Sequence, residues 1–212
     1  NNLAYDRHRA VTAETATLVG APPEDFIRLW AETAFERNTG ILPTSAACIE
    51  HICRTLGVEP SEDGLLRAAG HRTDYVRGLL KPRPGTVEVL RTLRERGHKT
   101  GLISDCTHEV PLLWAKTPFA SLIDVPVFSC SAGLKKPDPR IYRLAASQLD
   151  VTPEDCLFIG DGGSQELSGA RDVGMHPMLF RLDGDGTEPH LLDREQWDGP
   201  AIESIHDVLA IA

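Results

Sequence analysis

With 212 residues, 41% of them hydrophobic, the chain is long enough to bury one α/β core that carries a sizeable insertion. A formal net charge of −9 excludes the broad basic face that nucleic acid or an anionic membrane surface requires. No apolar run approaches the roughly 18 residues of a membrane helix, and nothing at the start reads as a signal peptide.

Residues 1–80 read as helices alone. The first, from about Leu3 to Val19, stops at Gly20. The second follows Pro22-Pro23, aligns Phe26, Leu29, Trp30, Thr33 and Ala34 on one face, and ends at Gly40. The third starts at Ser45, carries the stripe Ile49, Ile52, Cys53, Leu56, and stops at Gly57. The fourth opens at Ser61 with Leu65, Ala69, Tyr75, Val76 and Leu79 as its expected inner face. Trp30, Arg37, His51, Arg72 and Tyr75 read as packing or surface residues of this helical part.

The pattern changes at Lys81-Pro82-Arg83-Pro84-Gly85. A helix with Val87, Leu90 and Leu93 inward stops at Gly97, and a strand over Thr100–Ile103 ends at Ser104-Asp105. A helical stretch covers Val110 to Trp114, with Trp114 expected in the core. Further strands are expected at Val125–Ser129, Cys156–Ile159 and Met178–Leu182. Between the second and third, a helix starts with Asp138 as N-cap and Pro139 at N1, carrying Ile141, Leu144, Ala145 and Leu149. A last helix begins near Ser204. Strands alternating with helices of this length predict a parallel sheet covered on both faces.

The five cysteines (Cys48, Cys53, Cys106, Cys130, Cys156) are an odd number scattered through apolar contexts. They predict reduced thiols in a cytosolic protein. Cys48, His51 and Cys53 read as helix packing rather than a metal site, because Cys53 points away from Cys48 on a helix.

In open parallel sheets, ligands bind at the carboxyl ends of the strands. Those ends carry Ser104 and Asp105, then Lys135 and Lys136, then Asp161 and Glu166. A hydroxyl, an ammonium and a carboxylate pair converge on one edge. Hydroxyl and lysine suit a dianionic phosphate; the acids suit a divalent cation. Each residue alone has an ordinary reading as a strand-end hydroxyl, a solvated lysine, a turn or a first-turn helix acid. Their joint order and spacing carry the signal.

This arrangement resembles the haloacid dehalogenase (HAD) superfamily of hydrolases, over about residues 1 to 185. Gly101-Leu102-Ile103-Ser104 is similar to that family's second motif, Lys136 before Pro137 to its third, and Gly160-Asp161 with Glu166 to its fourth. The resemblance implies a doubly wound, Rossmann-like α/β core over 81–212 and an all-helical cap domain over 1–80. It implies a Mg²⁺-dependent hydrolase, a phosphatase on a small phosphorylated metabolite through an aspartyl-phosphate. Ser104 and Lys136 are then the catalytic candidates, Ser104, Asp105 and Lys136 the phosphate-binding ones, and Asp161 and Glu166 the metal ligands. The dehalogenase branch typically reads Ser-Ser-Asn at the fourth motif, so Gly160-Asp161-Gly162 points to the metal-using phosphatases. Phosphomutases share the motifs seen. The rival from another class is a non-catalytic protein that binds a phosphorylated ligand or a partner.

The family's first motif, Asp-x-Asp-Gly-Thr, precedes the cap and supplies the nucleophile. It is expected upstream of Asn1, with about 10 to 20 further residues. Asp183-Gly184-Asp185-Gly186-Thr187 matches the same letters. It follows an outer strand, however, and reads as a loop.

Overall fold

The computed structural model describes residues 3–181 and 194–212; the Asp183–Thr187 stretch lies outside them. Five helices come first: α1 (Leu3–Leu18), α2 (Pro23–Glu32), α3 (Ala34–Asn38), α4 (Ser45–Thr55) and α5 (Glu62–Leu79). Side-chain caps set two of the starts. Thr44 Oγ1 accepts from the Ala47 N–H at 3.0 Å, and Ser61 Oγ from the Gly64 N–H at 3.1 Å. The expected second helix is two helices, because the chain turns at Thr33, whose hydroxyl bonds back to the Leu29 carbonyl at 2.8 Å.

The helical part has its own core of Phe26, Trp30, Cys48, Ile49, Ile52, Cys53 and Ala68. Each large apolar side chain buried there contributes about 1.5–3 kcal/mol. Cys48 and Cys53 both face this core and His51 is exposed, so the three do not converge. Of the expected inner face of α5, Val76 is buried and Leu65 and Ala69 pack against this core, though the most buried row of the helix is a different one. It is Gly64, Ala68, Arg72 and Val76, while Leu79 is exposed. These four are spaced by i+4, as a single helix face requires, but one is an arginine.

His8 on α1 packs edge-on against Tyr75, with ring centroids 6.1 Å apart. Burial, then the charges of Arg72 and Arg37, lower its pKa to about 4. The folded protein thus holds His8 neutral where the unfolded chain protonates it, and stability falls as pH drops from about 6.5 toward 4. Replacing His8 with Gln is expected to flatten that part of the curve. The effect is on the order of 1 kcal/mol after allowing for solvent access, readable as Tm against pH.

The remainder alternates: α6 (Thr86–Glu95), β1 (Gly101–Ser104), α7 (Glu109–Trp114), β2 (Val125–Phe128), α8 (Ser129–Ala132), α9 (Pro139–Leu149), β3 (Leu157–Gly160), α10 (Glu166–Asp172), β4 (His176–Phe180), β5 (Ala201–Ile202) and α11 (Val208–Ile211). All strand pairs are parallel. β1 pairs with β2, and β4 lies between β3 and β5. The sheet therefore comes in two parallel pieces, and β1 and β3 share no hydrogen-bonded edge. β4, which leads toward Asp183, does not sit between β1 and β3.

Strand period 2 sends neighbouring side chains to opposite faces. Phe158 packs with α9 residues Ile141, Tyr142 and Ala145, while Ile159 packs with Val89, Leu93, Ile202 and Val208. Helices thus cover both faces, as expected of a doubly wound α/β core. Trp114 packs against Phe119 and Phe128, at centroid distances of 5.2 and 5.4 Å. All five cysteines are free thiols. Among the described residues no helix is long and apolar enough to cross a membrane.

Candidate active site

Within each sheet piece the parallel register, Ser104↔Phe128 in one and Gly160↔Leu179 in the other, brings the carboxyl ends of the paired strands level. Ser104 ends β1. The next residue, Asp105, accepts the Lys136 backbone N–H on Oδ1 at 3.0 Å. Its other oxygen, Oδ2, is buried with no hydrogen-bond partner. The carboxylate thus pins the lysine loop to the end of β1.

Lys136 Nζ forms an ion pair with Glu166 Oε2, with side-chain exposures of 12% and 6%. Glu166 Oε1 accepts the Gly162 N–H at 3.1 Å. Burial raises the Glu166 pKa and Lys136 opposes that rise; the nearby charge of Asp161 adds to it. Asp161 Oδ1 accepts the Gly163 N–H at 3.0 Å. Lys135, the other candidate lysine, has no part in this cluster; Lys136 is the one drawn to the carboxylates.

The loop between β3 and α10 is shaped to return Glu166 onto it. Gly162, Ser164 and Gln165 all have positive φ, of 87°, 55° and 51°. Gly160 cannot carry a side chain here, because a Cβ would overlap the Glu166 carboxylate, which Lys136 and Gly162 hold in place. Gly160→Ala is expected to displace Glu166 from Lys136 and the Gly162 N–H and to destabilise the fold by about 1–3 kcal/mol, read as a lower Tm.

Two supporting residues were invisible as motifs. Tyr142 Oη, on α9, donates to the Glu166 carbonyl at 3.0 Å; burial, then nearby carboxylates led by Glu166, push its phenol pKa up, so it stays a donor. Glu195 accepts the Leu167 and Ser168 N–H groups at 2.6 and 3.1 Å, closing the start of α10. Its own N–H bonds the Gly162 carbonyl at 3.0 Å. Nothing local in the sequence announces a cap supplied from so far along the chain.

Mg²⁺ takes oxygen ligands and is bound through one or two carboxylates plus water and substrate phosphate. Among the described residues no three His, Cys, Asp or Glu side chains form a ready cage. The acids at hand are Asp161 and Glu166, and both Glu166 oxygens are engaged by Lys136 and Gly162. The donor chemistry fits a cation held through Asp161, with Glu166 in support.

A family model described as haloacid dehalogenase-like hydrolase matches residues 51–174. The chain belongs to the haloacid dehalogenase-like hydrolases. It is 32% identical over 117 residues to a glyceraldehyde 3-phosphate phosphatase of Pyrococcus furiosus, covering 53% of this chain and 47% of that protein. The chain thus spans about half the length of the curated relatives it matches. Among solved structures it superposes on a HAD phosphatase from Thermococcus onnurineus with a TM-score of 0.62 and 19% identity, covering 96% of this chain and 86% of that one. An L-2-haloacid dehalogenase from Xanthobacter autotrophicus gives 0.61 and 18%, covering 96% and 91%. These likenesses show the shared fold, an α/β core with parallel strands and a helical part.

Proposed function

We propose that the chain belongs to a cytosolic, Mg²⁺-dependent phosphatase that hydrolyses a small phosphate monoester. Residues 1–80 act as its cap and 81–212 as its core. The observation that carries this reading is the buried Lys136–Glu166 pair beside Asp161, at the carboxyl ends of parallel strands. Gly160-Asp161-Gly162 supports it against the dehalogenase branch, whose fourth motif lacks such an acid. The phosphatase names among the relatives point the same way.

The Ser104 hydroxyl donates to an oxygen of the transferring phosphoryl group, and the Lys136 ammonium neutralises that group. Glu166 fixes the ammonium in place, and Asp105 fixes the lysine backbone. Asp161 holds the metal, with Glu166 supporting its surroundings. When bound, Mg²⁺ supplies positive charge that offsets the phosphate oxygens. The P–O bond of the ester breaks as the phosphoryl group passes to the first aspartate of the family's first motif, the second aspartate of that motif protonates the departing alcohol, and water then hydrolyses the aspartyl-phosphate to inorganic phosphate. The helical cap closes over the site and limits water.

The test is hydrolysis of para-nitrophenyl phosphate by the full-length protein. Turnover with Mg²⁺ that falls at least about 100-fold in EDTA and returns on adding Mg²⁺ supports the proposal. Turnover indifferent to EDTA overturns the metal role. No turnover, with inorganic phosphate still raising Tm, favours a phospholigand-binding protein instead.

A further inference from the structure

Arg37 and Arg72 are only 9% and 5% exposed. Both stack on the buried Trp30 ring, their guanidinium carbons 4.1 and 4.2 Å from its centroid. Arg72 also lies 5.4 Å over Tyr75. The exposed arginines Arg28, Arg67 and Arg77 each pair with a carboxylate. The two buried ones reverse the usual rule: among the described residues, neither has a carboxylate at ion-pair distance.

Few of their donors are used. Arg37 Nη1 donates to the Trp30 carbonyl and to Thr33 Oγ1 at 2.7 Å, and Arg72 Nη1 reaches Thr12 Oγ1 at 3.4 Å. The Nε of each is buried with no partner. A guanidinium has five N–H donors, so most of this capacity is unspent. The charge of Glu109, 2% exposed, favours both guanidinium ions, and that of Glu36 favours Arg37. Glu109 Oε1 accepts from the Ser45 hydroxyl, while Oε2, 3.3 Å from His108 Nδ1, is buried with no hydrogen-bond partner. His8 is held neutral beside the pair, and burial pushes the Arg72 pKa down to about 10. The cluster sets two cations against two carboxylates, of which only Glu109 serves both.

Its place gives the unspent donors a use. Arg37 on α3 and Arg72 on α5 belong to the helical part, whereas Glu109 opens α7 in the core, five residues after Ser104. Ser45, at the start of α4, bonds Glu109 across that junction. The arginines therefore lie where cap meets core, over the loop that leaves the end of β1.

We propose that Arg37 and Arg72, with Trp30 as wall, form a second anion subsite that holds a carboxylate or further phosphate of the substrate. This rests on the phosphatase reading and narrows its substrate class to small phosphate monoesters that carry a second anionic group. The arginine fork suits either oxyanion.

The test measures calorimetric binding to the full-length protein with Mg²⁺, so it does not depend on turnover. The probes are methylphosphonate, a series of ω-phosphonocarboxylates with one to three methylenes, and the matching bisphosphonates. At least one chain length is expected to bind 10-fold or more tighter than methylphosphonate; the better of the two series tells carboxylate from phosphate. Arg72→Gln and Arg37→Gln are expected to erase that gain, and Arg72→Lys to keep part of it. If the Gln variants do not fold, the Nε–H resonances of the two arginines in the unaltered protein decide. They are expected to shift with the doubly anionic probes and not with methylphosphonate. Resonances that do not move overturn the proposal. So does a gain that survives both Gln substitutions, or the absence of any gain. Para-nitrophenyl phosphate hydrolysis, measured alongside, shows whether the phosphatase reading fails with the subsite or stands without it.

Discussion

Replacing Lys136 with Met is expected to lower kcat/KM on a phosphate ester by at least about 1,000-fold. It is also expected to destabilise the fold by about 3 kcal/mol at pH 8. The two effects have separate causes. Activity falls because the ammonium that neutralises the phosphoryl group is gone. Stability falls because Glu166, 4% exposed, is left as an unpaired buried carboxylate with only the Gly162 N–H on its side chain. Burial already raises the Glu166 pKa, and Lys136 is the largest influence opposing it. Without the lysine the carboxyl shifts further up, so the folded state prefers it protonated. A folded pKa above the unfolded one gives stability at low pH that is lost as pH rises. The penalty should therefore shrink toward pH 5, visible as Tm at the two pH values. Adding Glu166→Gln should restore most of the stability at pH 8 and none of the activity. A double variant as unstable as the single one would show that the lysine acts through packing instead.

The sequence exposes this site because its parts sit at strand ends. Each strand is a short apolar run that stops at a polar or glycine residue, so Ser104, Asp161 and the glycines mark the edge where ligands bind. The helices of the first 80 residues are equally plain, since caps at Thr44 and Ser61 and glycine stops agree with the apolar period. What periodicity cannot reveal is a polar residue on an inner face. The α5 pattern offers Leu65, Ala69 and Leu79, yet Arg72 turns inward because two aromatic rings accept its guanidinium. Likewise β5 is two residues long and gives no pattern, and Glu195 reaches α10 from a segment with no motif of its own. Sequence order carries local chemistry well. It carries a partner supplied by a distant part of the chain only once the fold has brought the two together.

Asp161→Asn tests the remaining role, with the smallest change in shape. The substitution keeps the side-chain volume and an oxygen able to accept the Gly163 N–H, now at 3.0 Å. It removes only the charge, so a loss of function reports charge rather than turn geometry. Turnover with Mg²⁺ is expected to fall by about 100- to 1,000-fold. A second readout is independent of catalysis. Mg²⁺ that binds the folded protein raises Tm by mass action, and this rise is expected in the unaltered protein and lost in the variant. Without metal, the substitution relieves the repulsion between Asp161 and the buried Glu166, and the Tm of the metal-free variant reads its net effect. A variant that keeps its Mg²⁺-dependent rise in Tm would place the cation on other groups. One destabilised without metal would mean that Asp161 serves the turn before it serves any ligand.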